Sequence, residues 1–98
     1  MPFLEPEDHA AGELDIRTLL VRRPSSTFYM KNAGDALDGE GIHDGDLLIV
    51  DRSIVPKVGM IAVVCEDGML AVRILEKPKQ GESIEVWGTV MFSITAHS

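Results

Sequence analysis

The chain of 98 residues has one cysteine, few aromatics (5 %), no excess of positive charge and no long hydrophobic run. Each shortage excludes something. The lone Cys65 rules out an internal disulfide and fits a reducing compartment. The longest purely apolar stretch, Met60 to Cys65, is six residues, far below the roughly 20 that cross a bilayer, so no membrane association is expected. The first fifteen residues carry five acids and no base, the reverse of a secretory leader, and predict a cytoplasmic protein. Nine bases against sixteen acids leave a net charge of −7. Nucleic-acid binders draw much of their affinity from Lys and Arg on phosphates, so direct DNA or RNA contact is not expected.

What is present is globular. The chain is 45 % hydrophobic and 26 % charged, enough for one core and one domain. Residues 1–13, with Pro2, Pro6 and Gly12, show no periodicity and read as an extended arm before a single domain over 14–98. Asp15 as N-cap, Ile16, Leu19 and Leu20 on one face, Arg22 and Arg23 in the last turn and Pro24 as stop predict one short helix. Leu14 and Leu19 occupy the positions of a hydrophobic staple.

The remainder reads as strand. Thr27 to Asn32 alternates, and Leu47 to Val50 is a short apolar run between acids. Val58 to Glu66 and Met69 to Glu76 flank Asp67-Gly68, a two-residue hairpin turn in which both positions favour φ > 0. Ser83 to Ala96 reads as one long strand, or two broken near Gly88. The expected class is mainly β with one N-terminal helix.

Few residues suggest chemistry. Asp35, Asp38, Glu40, Asp44 and Asp46 are interspersed with Gly39, Gly41 and Gly45, but their register does not match a calcium loop. His9, His43 and His97 lack metal-ligand spacing, with or without Cys65, so no metal or cofactor is expected. There is no G-x-S-x-G elbow and no recognisable Cys/His pair.

Lys31-Asn-Ala-Gly34-Asp35-Ala36-Leu37, followed by Gly41-Ile-His-Asp44-Gly45-Asp46-Leu-Leu-Ile-Val50-Asp51, resembles the G-D-S-M … G-I-x-D-G-D-x-x-x-V-D block of the LexA/UmuD (S24) self-cleaving peptidases. Asp67-Gly68-Met-Leu-Ala-Val72-Arg73-Ile-Leu75 is similar to their D-G-x-x-x-V-K-x-L hairpin, and Val86-Trp-Gly88-Thr-Val90 to their closing V-x-G-x-V strand. The helix segment with Phe28-Tyr29 resembles the UmuD branch, and the chain begins about where the cleaved form, UmuD′, begins. The resemblance implies a LexA/signal-peptidase-like β-clip. It is abbreviated near 76–84, because Val86 follows Arg73 by only 13 positions.

In that family the residue after G-D is the serine nucleophile and the lysine of V-K-x-L its general base. Here these vestigial positions hold Ala36 and Arg73. A methyl group cannot attack a carbonyl, and a guanidinium with a pKa above about 12 has no lone pair to accept a proton. Ser25, Ser26 and Ser53 do not match the nucleophile, nor Lys31 and Lys57 the base. Ala11-Gly12, as a scissile pair, lies too close to the helix.

The expected function is therefore a non-catalytic UmuD′-like module, not an enzyme. The resemblance implies a homodimer serving an error-prone translesion polymerase in the SOS DNA-damage response, with a UmuC-like Y-family polymerase and the RecA filament as partners. Two alternatives stand beside it: a serine-lysine peptidase inactivated by Ser-to-Ala substitution, and a detached dimerisation domain of a LexA-like or phage repressor. Trp87, Met91 and Phe92 on the last strand, with the arm, are the expected dimer contacts. Alternation puts Arg73 on one strand face with Met69, Ala71 and Leu75, and the resemblance implies that this face lies along the cleft beside Ala36, with Arg73 solvated or paired with Asp35, Asp38 or Glu40.

Overall fold

The computed structural model describes residues 20–97. Five antiparallel strands form one sheet: β1 Thr27–Lys31, β2 Leu47–Asp51, β3 Ile61–Glu66, β4 Met69–Ile74 and β5 Glu85–Ile94. Their order is β1-β2-β5-β3-β4, so the last strand lies between two strand pairs made earlier in the chain. The mainly β class of the LexA/UmuD-like reading holds. Among the described residues no helix is long and apolar enough to cross a membrane.

Alternation sorts the sheet into two faces. Leu48, Val50 and Val63 lie on one face and, with Ile42 from the β1–β2 loop, form the buried core. Met30, Leu37, Ile61, Val72, Trp87 and Val90 pack around them. The opposite face carries Ile49, Asp51, Ala62, Val64 and Thr89, all buried. Both faces of the central strands are covered, which is why β2 and β3 read as unbroken apolar runs.

The Asp67-Gly68 turn has φ of 51° and 77°, as its hairpin requires, and sets Glu66 opposite Met69 and Ala62 opposite Arg73. The β5 segment is one strand rather than two. It is kinked by single extra residues, since Val63 pairs with Gly88 but Val64 with Val86, and Ile49 pairs with Phe92 but Val50 with Val90. Trp87 and Met91 are the residues left over.

Two expectations need correction at their boundaries, and others lie outside the described residues. The first strand of the hairpin begins at Ile61, not Val58. Gly59 has φ of 94° and Met60 N–H donates to Lys57 O, so Val58 belongs to a turn. The helix expected over 15–23 and the Leu14/Leu19 staple lie largely outside the described residues. Where its end is described, Leu20 is helical, Val21 to Arg23 are not, and Pro24–Ser26 is a turn of 3-10 helix, so the helix stops short of Arg23. The arm over 1–13, with His9 and Ala11-Gly12, lies outside the described residues. Leu75 to Ile84 contains no strand, in keeping with the expected abbreviation.

Candidate functional site

The β1–β2 loop places Ala36. Asn32 and Asp46 close its neck: Asn32 N–H donates to Asp46 O at 2.8 Å and Gly45 N–H to Asn32 O at 2.7 Å. The Asn32 side chain donates to His43 O at 3.0 Å and to Gly34 O at 3.3 Å. Gly34 N–H donates to Asp44 Oδ1 at 2.7 Å, and the His43 ring meets Asp38 Oδ1 at 2.9 Å. Asp46, 1 % exposed, accepts His43 N–H at 2.8 Å. That bond, then one from the Thr95 side chain, holds its carboxyl below the usual carboxylate range. Most of the acids that suggested a cation loop thus bind the loop's own N–H groups and ring. Among the described residues no three His, Cys, Asp or Glu side chains converge as metal ligands.

So braced, Ala36 and Leu37 overhang a hollow of about 360 Å³ lined by Met30, Leu48, Val63, Leu70 and Val72, with Lys31 and Asn32 as its polar rim. The hollow is flanked by β1 and β4, the two edge strands of the sheet, so the sheet curls until its edges face one another across it. Register shows what the edges offer. Arg52 N–H bonds Ser26 O and Asn32 N–H bonds Asp46 O, which makes Phe28/Val50 and Met30/Leu48 the bonded pairs. Tyr29 and Lys31 therefore turn their N–H and C=O away from β2. The same logic, starting from Leu75 N–H on Met60 O, turns Leu70, Val72 and Ile74 outward from β4.

Arg73 does not line this hollow. Val72 faces the core, so Arg73 projects from the other face and pairs with Glu66 across the hairpin. Half of its side chain is exposed, in a depression formed with Glu66, Leu75, Glu82 and Glu85. The expected solvation is present, but the expected neighbour Ala36 is replaced by Ala62 and the expected acids Asp35, Asp38 and Glu40 by Glu66. The hairpin register carried this signal: a two-residue turn at 67–68 puts Glu66 and Arg73 on one face of the ribbon.

On the convex side, Asp51 is the second buried carboxylate, 4 % exposed. The Ser53 hydroxyl (2.6 Å) and N–H (2.8 Å) and the Ser26 hydroxyl (2.9 Å) donate to it, and Arg23 approaches to 3.6 Å. The Ser53 hydroxyl is the main cause of its lowered pKa. The two serines are thus occupied as donors to a carboxylate. Cys65 is free and half-buried.

A mainly antiparallel β sheet is what the LexA/UmuD resemblance implied, whereas the placing of position 73 beside Ala36 is not found. The family model described as Peptidase S24-like matches residues 3–87, and the chain belongs to that family, on its LexA/UmuD-like side. It is 33 % identical over 103 aligned positions to protein MucA of Salmonella typhimurium, covering 87 % of this chain and 70 % of MucA; MucA of Escherichia coli gives the same figures. Protein SamA of Salmonella typhimurium is 37 % identical over 73 positions, 74 % of this chain and about half (52 %) of SamA. The 103 aligned positions exceed the 98 residues of the chain, so the match bridges gaps at which MucA is the longer.

Proposed function

We propose that this chain is a non-catalytic, UmuD′-like interaction module of the SOS DNA-damage response. It serves as a homodimeric accessory subunit of an error-prone translesion polymerase. The observation that supports the reading is the hollow under Ala36: it has the apolar lining and free strand edges that suit an extended segment, and a methyl group stands where the family's nucleophile position falls. Backbone groups on β1 and β4 supply hydrogen bonds to a bound strand, and Leu70, Val72 and Leu48 supply apolar contact. Binding without cleavage suits a module that recruits rather than processes. The partners in this reading are a UmuC-like Y-family polymerase and the RecA filament, met through protein surfaces, since a charge of −7 repels DNA.

The test is reconstitution. The purified chain is mixed with the Y-family polymerase encoded nearest to it and with RecA filaments, on a primed template carrying an abasic site. Co-elution with the polymerase and increased bypass support the reading; a polymerase unaffected in both assays overturns it. Light scattering of the chain alone at tens of micromolar returns a dimer mass, and a monomer would remove the proposed assembly.

A further inference from the structure

The β2–β3 loop is fastened along its length. Asp51 holds Ser53, the Thr89 hydroxyl donates to Ile54 O at 2.8 Å, and Pro56 is buried. Lys57 N–H donates to Met60 Sδ at 3.3 Å and Gly59 N–H to Leu75 O at 2.8 Å. Between these anchors Val55 is 85 % exposed and Val58 65 %. A connection needs no valines in water, and these two are held out by a rigid turn with Lys57 between them. Residues 52–60 contain two bases, Arg52 and Lys57, and no acid, in a chain of net charge −7.

The molecule also carries the complement of this knob. The hollow under Ala36 is apolar and about 360 Å³, room for two valine side chains. Its overhanging loop, residues 33–46, has five acids and no Lys or Arg. Asp38, Asp44 and Asp46 are engaged within the loop, whereas Asp35 and Glu40 take no side-chain hydrogen bond among the described residues. Lys31 is the charged side chain in the lining of the hollow, and Asp35 adjoins Ala36 in the loop above it. Knob and hollow cannot meet within one molecule. The loop is tied through Ile54 to Thr89 on the convex face, while the hollow opens on the core face.

We propose that a second copy of this chain seats its Val55-Pro56-Lys57-Val58 knob in the hollow beside Ala36, with Lys57 against Asp35 and Glu40. The contact joins unlike surfaces on opposite faces, so it builds head to tail into a ring or an open chain, and its small area makes it weak and concentration-dependent. It deepens the polymerase reading by naming an occupant for the same hollow, so a seated knob and a bound partner strand exclude one another there, and it is distinct from any dimer made through β5.

Sedimentation velocity from about 10 to about 500 µM tests it, a range that brackets weak association. The weight-average sedimentation coefficient keeps rising past the value of a dimer. V55D/V58D, on exposed positions that leave the core intact, weakens this association at least about tenfold. K57E alone and D35K/E40K alone each abolish it. An equal mixture of the two restores it, because the acidic knob of one variant then meets the basic rim of the other. A wild-type coefficient that stays constant at or below the dimer value overturns the proposal and leaves the knob to a different protein. So does a rise unchanged in V55D/V58D, or a mixture no more associated than its components.

Discussion

The guanidinium of Arg52 lies 4.4 Å from the centre of the Trp87 ring while its Nε donates to the Trp87 carbonyl at 2.9 Å. Trp87 is the residue left over where β5 kinks against β3, and Phe28 meets its ring edge-on at 5.3 Å. One side chain thus holds both the backbone and the ring of an irregular position. Arg52→Ala is expected to cost about 1–2 kcal/mol, the sum of a cation–π contact and a net hydrogen bond. Urea denaturation checks this. Arg52→Lys, which keeps the charge but not the planar fork, recovers less than half of the loss.

Gly88 is required for packing, not for backbone conformation. A Cβ there would stand 2.7 Å from Val50 Cγ1. Gly88→Ala is expected to destabilise by about 1–3 kcal/mol through overpacking. Adding Val50→Ala removes the clash, so the double variant is more stable than the sum of the two single losses predicts. A double-mutant cycle by thermal melting reads the coupling.

Asp46 and Asp51 set the acid limit. Both carboxyls have folded-state pKa values below their ordinary one, chiefly through the His43 N–H and the Ser53 hydroxyl respectively. Their stabilisation is therefore complete above the unfolded value of about 4 and is lost as pH falls through the lower folded values. Stability measured by urea from pH 7 to pH 2 should hold down to about pH 4 and then drop. In Asp46→Asn and Asp51→Asn it starts lower at pH 7 and falls less steeply below 4.

Restoring the family's catalytic residue types should not restore cleavage. Ala36→Ser puts a hydroxyl into the hollow, but a lysine at 73 would point to the face of Glu66, away from it. The wild-type chain and the A36S/R73K variant both stay intact through days at pH 7 to 10, followed by mass spectrometry. Cleavage of the variant at a defined bond would show that the side chain of residue 73 reaches the hollow.

Strand positions were legible because alternation and the Asp67-Gly68 turn are local signals. Gly59 misled, since Val58-Gly-Met-Ile-Ala looks like one apolar run until Gly59 takes a positive φ. The face of Arg73 was legible too, grouped correctly apart from Val72. Which face the hollow occupies was not, because that depends on how β1 and β4 curl toward each other, a non-local outcome of β5 lying between β2 and β3. The extra residues Trp87 and Met91 escaped for the same reason: kinks in β5 are decided by what Gly88 and Phe92 pack against on two different partners.

The place of β5 bears on how the protein is made. Before residues 85–94 leave the ribosome, β1 and β2 can pair, and β3 and β4 can close their hairpin, but nothing hydrogen-bonds one pair to the other. Leu48 and Val50 on one side and Val63 on the other then wait, uncovered, for a strand still inside the exit tunnel. Nascent chains stalled short of residue 85 should bind holdase chaperones and be cut readily by protease. Release of ten more residues converts two half-sheets into one in a single late step.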